Sequence, residues 1–429
     1  MGQTGERAVE KRRVFYIPGY DPIHPRRYRE LYRREGADQA KISGYDIELS
    51  AKKSGGPYGW HVRGQMDGAE VQADFEVLVW SDIVRDSMGL GIGATYVQLA
   101  RTAWIYIASG TLRRLMRLRK GPVIAALYPV VFLLVQFLIA VCVAYGAATL
   151  VGFVGSKIAA MIYPDRMFTP LFYPIIFTAL AIGCLVAWLV LRWFRVKDGK
   201  FFAYYLMHDY AYSAQSKGAN PPELEARMAE FGARIGDALQ GEHDEVLVVG
   251  HSSGAHLAVS ILADLIRAGH VRDGGPVLSF LSLGQVVPMV SFLPEARRLR
   301  RDLRYLSTRG ELTWVDVTAP GDGCAFALCD PVAVSGVAPE SKRWPLVLSA
   351  AFTQTLSAER WKELRWRFFR LHFQYMCAFD RPGDYDYFRI TAGPQTLGVR
   401  YATRKPSGSR IERAVSKFTS VEPDDNIAA

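Results

Sequence analysis

The sequence predicts an α/β fold: a mostly parallel sheet with helices on both faces, interrupted by two long apolar helices. Three observations predict it. Short β-prone runs alternate with helical patterns along most of the 429 residues, and such alternation builds parallel sheets. The run Val246-Leu247-Val248-Val249 passes through Gly250-His251-Ser252-Ser253-Gly254 into Ala255-His256-Leu257-Ala258-Val259, a buried strand turning sharply into a helix. Finally, residues 121–156 and 167–191 contain no charged side chain.

The elements follow in order. Val14-Phe15-Tyr16-Ile17 is a β-prone run that ends in Pro18-Gly19-Tyr20. Residues 45–53 and 58–66 alternate around Gly55-Gly56-Pro57 and read as a hairpin. Residues 75–80 form a further strand, and 91–119 a helical region with a basic end at 112–120. The apolar runs come next, then the aromatic-rich stretch 201–212, which suits a lipid headgroup region or packing against the soluble part equally. Pro221-Pro222 opens a helix with Leu224, Met228, Phe231, Ile235 and Leu239 on one face. After the 246–259 strand and helix, 277–283 and 312–317 read as strands and 294–305 as a basic helix. Over 359–376 helix and strand patterns overlap. The polar tail 405–429 is expected to be disordered.

Each uncharged run is long enough to span a bilayer, which takes about 20 apolar residues. Spans at 122–152 and 168–191 are expected, joined by a link holding Lys157, Asp165 and Arg166. Arg113, Arg114, Arg117, Arg119 and Lys120 precede the first span, and Arg192, Arg195, Lys197 and Lys200 follow the second. This bias puts both flanking soluble parts on the cytoplasmic side. Residues 1–13 are charged and carry no apolar stretch, so no secretory signal peptide is read there. The net charge of +10 clusters beside the spans and is read as attraction to anionic lipid, with no nucleic-acid partner. Cys142 and Cys184 lie in the spans, whereas Cys324, Cys329 and Cys377 show neither disulfide density nor a matching pair for zinc. No metal or cofactor is expected. The domain boundaries expected are 1–120 and 196–404 for one interrupted domain, 121–195 for the helical insertion and 405–429 for the tail.

Gly250-His251-Ser252-Ser253-Gly254 in its strand-to-helix setting is a nucleophile elbow, which lifts a serine hydroxyl clear of the sheet. A Cβ at Gly250 or Gly254 would crowd the turn. With these residues the chain resembles the α/β-hydrolase superfamily of serine hydrolases. The resemblance implies that the strand ending at Ile17 carries the oxyanion loop and that the strand ending at Trp80 is the next one. Only a dozen residues precede the first of these, so the superfamily's first two strands are missing or replaced by the 45–66 hairpin.

A serine hydroxyl is a weak nucleophile until a base takes its proton, and the base is usually a histidine oriented by a carboxylate. The resemblance implies the order Ser, Asp or Glu, His. After the elbow helix only His270 and His372 remain. His270 ends that helix, roughly 20 Å from Ser252 at 1.5 Å per residue, which leaves His372 as the base. Asp322, in Pro320-Gly321-Asp322-Gly323 just past the 312–317 strand, is the expected acid. Asp316 within that strand and Asp330 before Pro331 are the alternatives. The Ser253 amide and a second donor from Gly19 or Tyr20 would hold the oxyanion. His251 is expected to be structural, because adjacent side chains on a strand face opposite ways.

The resemblance implies a serine esterase or lipase-like hydrolase, and the apolar runs with their basic flanks imply that it is membrane-anchored. It would cleave a carboxylic ester or thioester through an acyl-serine at Ser252, with a lipid-like substrate as the narrower expectation and a bacterial inner membrane as the compartment. An acyltransferase on the same fold, and a membrane scaffold with a vestigial triad, are the rival readings.

Overall fold

The computed structural model describes residues 8–20, 24–52, 56–83, 91–164 and 170–423. The chain divides into two units, one of Met1–Asp86, Trp104–Ala125 and Tyr212–Ala429, the other of Ser87–Ala103 and Ala126–Ala211.

The first unit is built on eight strands: β1 (Lys11–Ile17), β2 (Asp46–Ala51), β3 (Gly59–Met66), β4 (Ala69–Val77), β5 (Glu245–His251), β6 (Val277–Leu283), β7 (Leu312–Thr318) and β8 (Leu346–Ser349). They form one sheet in the order β2-β3-β4-β1-β5-β6-β7-β8. β3 is antiparallel to both neighbours, and every other pairing is parallel. Among the described residues, the helices of eight or more residues are α1 (Arg26–Ser43), α2 (Ile92–Ala108), α3 (Thr111–Leu118), α4 (Lys120–Ile162), α5 (Phe172–Val196), α6 (Ala203–Gln215), α7 (Pro222–Leu239), α8 (Gly254–Arg267) and α9 (Arg297–Leu306).

Alternation with period two places the core. Val14, Tyr16, Phe75, Val77, Leu247, Val249, Leu281, Leu283, Val315 and Val317 share one face, covered by Tyr28 and Tyr32 of α1 and by Tyr387 and Phe388. Phe15, Val248, Phe280 and Trp314 point the other way and are fully buried. On that side α8 packs against β5 and β1, between α7 and α9. The predicted sheet with helices on both faces is thus present.

One buried ion pair ties the sheet to the C-terminal segment. Arg12 Nε donates to Glu245 Oε2 at 2.6 Å, and its other nitrogens donate to the Gly393 and Gln395 carbonyls. Glu245 Oε1 accepts from Ser279 Oγ and the Leu397 amide. Both side chains are fully buried, and full hydrogen bonding is what makes such burial tolerable.

Several elements differ from the sequence reading. The strand expected at 75–80 starts at Ala69, because β3 and β4 pair from Met66↔Ala69 onward. The ambiguous stretch 359–376 is helical in short pieces, including Ala358–Leu364 and Phe368–His372. α1 and β8 were not anticipated. The tail expected to be disordered is packed from 405 to 423: Asp330 N–H donates to Ile411 O, Ser416 N–H to Val334 O and Arg300 Nε to Ser420 O. Hydrogen bonds to the rest of the first unit thus hold a segment that its own composition would leave loose. Residues 424–429 lie outside the described residues.

In the second unit, α4 and α5 are long and apolar enough to cross a membrane. α4 runs 43 residues and α5 runs 25, longer than the expected spans of 122–152 and 168–191. Lys157 lies inside α4, while Asp165 and Arg166 of the expected link fall outside the described residues. Gly155 sits against Ile175, and Gly183 against Ala148. The unit also takes in residues 87–103 and 196–211, because Leu99, Tyr204, Met207 and Ala211 cluster with Leu133. Outward-facing Leu134, Phe137, Leu138, Phe177, Leu180 and Leu185 leave a broad apolar surface.

Candidate active site

The elbow is a strained turn between β5 and α8. Ser252 has φ +55°, in the left-handed region, a conformation that costs a non-glycine residue about 1–3 kcal/mol and persists where the surroundings fix it. Its N–H donates to the Leu283 carbonyl at the end of β6, 2.9 Å away. The flanking glycines are sterically required. A Cβ on Gly250 would lie 2.8 Å from Ala255 Cα, and one on Gly254 would lie 2.1 Å from the Ile17 carbonyl oxygen. The loop after β1 closes over the elbow in the same way, since a Cβ on Gly19 would fall 2.8 Å from Ser252 Cβ and 3.3 Å from its Oγ. That loop is pinned by Trp80 Nε1, which donates to the Pro18 carbonyl at 2.9 Å, and Tyr20 packs edge-on against Trp80. Neither the Ser253 amide nor the Gly19 amide donates to a described residue.

Asp322 follows β7 in a turn whose amide donates to the Ala319 carbonyl. Its Oδ1 accepts from the Cys324 amide at 2.8 Å, and its Oδ2 accepts from Tyr375 Oη at 3.0 Å and pairs with His372 Nδ1 at 2.7 Å. Burial would raise the Asp322 carboxyl. The charge and hydrogen bond of His372, the Cys324 amide and the Tyr375 hydroxyl outweigh it and hold the group below the usual carboxylate range.

His372 ends a short helix and faces this carboxylate. Its ring stands over Gly284, where a Cβ would lie 3.0 Å from the imidazole and 2.7 Å from the Tyr375 ring. Gly284 directly follows the residue that accepts the Ser252 amide, so the imidazole stands beside the elbow. The Asp322–His372 pair is formed. Ser252 Oγ makes no hydrogen bond with a described residue. A serine–base contact of this kind often tightens only when substrate is bound.

The alternatives find their partners elsewhere. Asp316 is buried and accepts from Ser282 Oγ, and burial pushes its carboxyl up to about 8. Asp330 caps the helix Pro331–Val334 and pairs with Lys342. His270 caps nothing catalytic: its carbonyl accepts from Gln240 and its ring lies by Gly236.

Three further residues bear on the site, of which Tyr375 was not singled out in the sequence. Tyr375 donates to Asp322 and accepts from the Ala319 amide. His251 is structural, as expected, yet it bears on the site. Its Nε2 bonds the His372 carbonyl at 3.1 Å, and the two rings stand 4.7 Å apart. Burial and the nearby His372 push the His251 imidazole down to about 3, so it is neutral. Cys324 is the third: its thiol, the His372 imidazole and the Asp322 carboxylate present ligand atoms within 4.8 Å of one another. The tyrosine and histidine sit near His372 in sequence or beside Ser252, but no spacing rule marks them.

No protein-family model, curated protein or solved structure matches the chain.

Proposed function

We propose that the chain is a membrane-anchored serine hydrolase of the α/β-hydrolase type that cleaves a carboxylic ester or thioester. The observation that carries this is a left-handed serine on a two-glycine elbow beside a buried Asp322–His372 pair. The edge hairpin β2–β3 supports it as well, since it stands where the resemblance leaves room for the superfamily's first two strands.

Ser252 Oγ attacks the acyl carbon while His372 Nε2 takes its proton. Asp322 keeps the proton on Nδ1 and stabilises the imidazolium. The oxyanion accepts hydrogen bonds from the Ser253 amide and from the loop at Gly19 or Tyr20. Collapse expels the alcohol or thiol, which takes the proton from Nε2 and leaves an acyl-serine. Water, deprotonated by His372, then attacks the acyl carbon and restores Ser252. The buried, neutral His251 holds the His372 backbone throughout.

The helices α4 and α5 would anchor the enzyme as a transmembrane hairpin, and their basic flanks favour a cytoplasmic catalytic unit. Trp366, Phe368 and Phe369 are exposed on the segment leading to His372, which favours a lipid-like acyl group. A fluorophosphonate probe tests the reading. The wild-type chain should label and hydrolyse a short-chain ester, and Ser252→Ala should lose both, turnover falling on the order of 10⁶-fold. Labelling that survives in Ser252→Ala would move the nucleophile elsewhere. No labelling of the wild type would end the hydrolase reading.

A further inference from the structure

We propose that Asp322, Cys324 and His372 form an inhibitory site for a thiophilic divalent cation, zinc foremost, laid over the catalytic pair. The proposal rests on the hydrolase reading for its consequence and on the geometry alone for its binding.

The donor set is one thiol, one imidazole and one carboxylate, all within 4.8 Å. Zinc takes such a set, whereas magnesium and calcium call for oxygen ligands. Two of the donors come from one tight turn, held by the Asp322 amide on the Ala319 carbonyl and by the Cys324 amide on Asp322 Oδ1. The third arrives from the Phe368–His372 helix. The thiols of Cys329 and Cys377 hydrogen-bond to main-chain carbonyls, but Cys324 Sγ makes no hydrogen bond with a described residue. Cys324 is partly buried while Asp322 and His372 are buried, and burial beside Asp322 raises its thiol well above the usual range, so the cation must displace the thiol proton to bind.

Tetrahedral zinc with bonds of about 2.0–2.3 Å sets its ligands roughly 3.3–3.8 Å apart. The His372–Asp322 contact of 2.7 Å must open by about 1 Å, and the sulfur must draw in by a similar amount. Side-chain rotation supplies both, and water completes the coordination. The proton balance explains the inhibition. The thiol gives its proton to solvent and binds as thiolate. Zinc takes His372 Nδ1, so the imidazole proton moves through solvent to Nε2. A protonated Nε2 cannot accept the proton of Ser252, and the base is lost. Thiolate and carboxylate together neutralise the cation.

The test uses the full chain in detergent, stripped with chelator. Ester hydrolysis is followed at buffered free zinc in wild type, Cys324→Ser and Cys329→Ser, each normalised to its own zinc-free rate. In parallel, cobalt(II) is titrated as a spectroscopic stand-in. We expect chelator-reversible inhibition of the wild type and of Cys329→Ser, and a half-inhibiting concentration raised about tenfold or more in Cys324→Ser. A thiolate-to-cobalt charge-transfer band should appear in wild type and Cys329→Ser and be missing in Cys324→Ser. Equal inhibition of all three proteins, or no such band in the wild type, overturns the site. A cobalt band with hydrolysis untouched by zinc overturns the inhibition. A chain that neither labels with fluorophosphonate nor hydrolyses an ester, yet shows the band, would sink the hydrolase reading and leave the metal site standing.

Discussion

Replacing Asp322 by asparagine changes one atom and should remove the base without unfolding the protein. The carboxylate accepts the Cys324 amide on Oδ1, and meets both Tyr375 Oη and His372 Nδ1 through Oδ2. An asparagine has one oxygen for these two positions. With the oxygen kept toward Cys324, its NH₂ faces His372, whose Nδ1 must then be the acceptor. Nε2 carries the proton and cannot serve Ser252. With the amide turned over, NH₂ opposes the Cys324 N–H and strands a buried donor, at about 1–3 kcal/mol. The first arrangement is therefore favoured. Fixing the wrong tautomer costs on the order of 10⁴ in turnover in a triad, or about 5.4 kcal/mol of barrier. Ester hydrolysis read alongside chemical denaturation separates the two effects. The pH dependence adds a sign. The Asp322 carboxyl is held below its usual range, so the folded state binds its proton more weakly than the unfolded state. The resulting stability is present above the unfolded value, about 3.9, and is lost as pH falls through the folded one. Asp322→Asn should flatten stability against pH on that acid side. A turnover loss smaller than about tenfold would refute tautomer control by this carboxylate, whatever happened to stability.

Further outcomes follow from other contacts. His251→Ala removes the bond to the His372 carbonyl and should lower turnover by about 10–10²-fold, the scale of a catalytic-geometry error. Because His251 is already neutral, with its imidazole near 3, the pH–rate profile between about 5 and 8 should keep its shape; a vanished ionisation there would count against the assignment. Arg12→Leu strands the buried Glu245 and should destabilise by about 3–5 kcal/mol in urea titrations, whereas a loss below about 1 kcal/mol would mean the pair is not buried as described. For topology, a cysteine placed at Asp165 should react with an impermeant thiol reagent added outside intact cells, and one at Glu422 should not. The opposite pattern would turn the catalytic unit outward.

The elbow was legible because its chemistry is local: two glycines, a serine and an apolar run fix the turn within ten residues. Asp322 was legible through its place after a strand, and His372 through the lack of rivals. His251 and Cys324 neighbour Ser252 and Asp322 in sequence, but their contacts with His372, like that of Tyr375 with Asp322, form only once distant segments meet. Gly284 is similar: only the folded chain brings His372 and Tyr375 over it. The missed α1 did carry a signal, with Tyr28, Tyr32, Glu35 and Gln39 buried at helical spacing and Gly44 closing it in a left-handed conformation. Its many arginines masked that stripe, since the spacing of apolar residues alone is sparse there. The tail was misjudged because its partners, such as Val334 O, the Asp330 amide and Arg300, lie far away in sequence, and local composition is blind to them.

The sheet order also constrains how the protein can be made. β1 precedes the other seven described strands in the chain, yet it sits between β4 and β5, pairing Val14 with Phe75 on one side and with Leu247 on the other. A growing chain can dock the first neighbour early. The second edge must stay open until β5 arrives, beyond the long helical insertion, and an open strand edge invites wrong partners. Loop closure across so long an insertion grows only logarithmically with its length, and contacts such as Gly155 with Ile175 and Gly183 with Ala148 shorten it further by folding the insertion back on itself. The strand that seals this edge is also the one that leads into Ser252, so the turn at Ser252 is assembled only after the chain has passed through the long helical insertion.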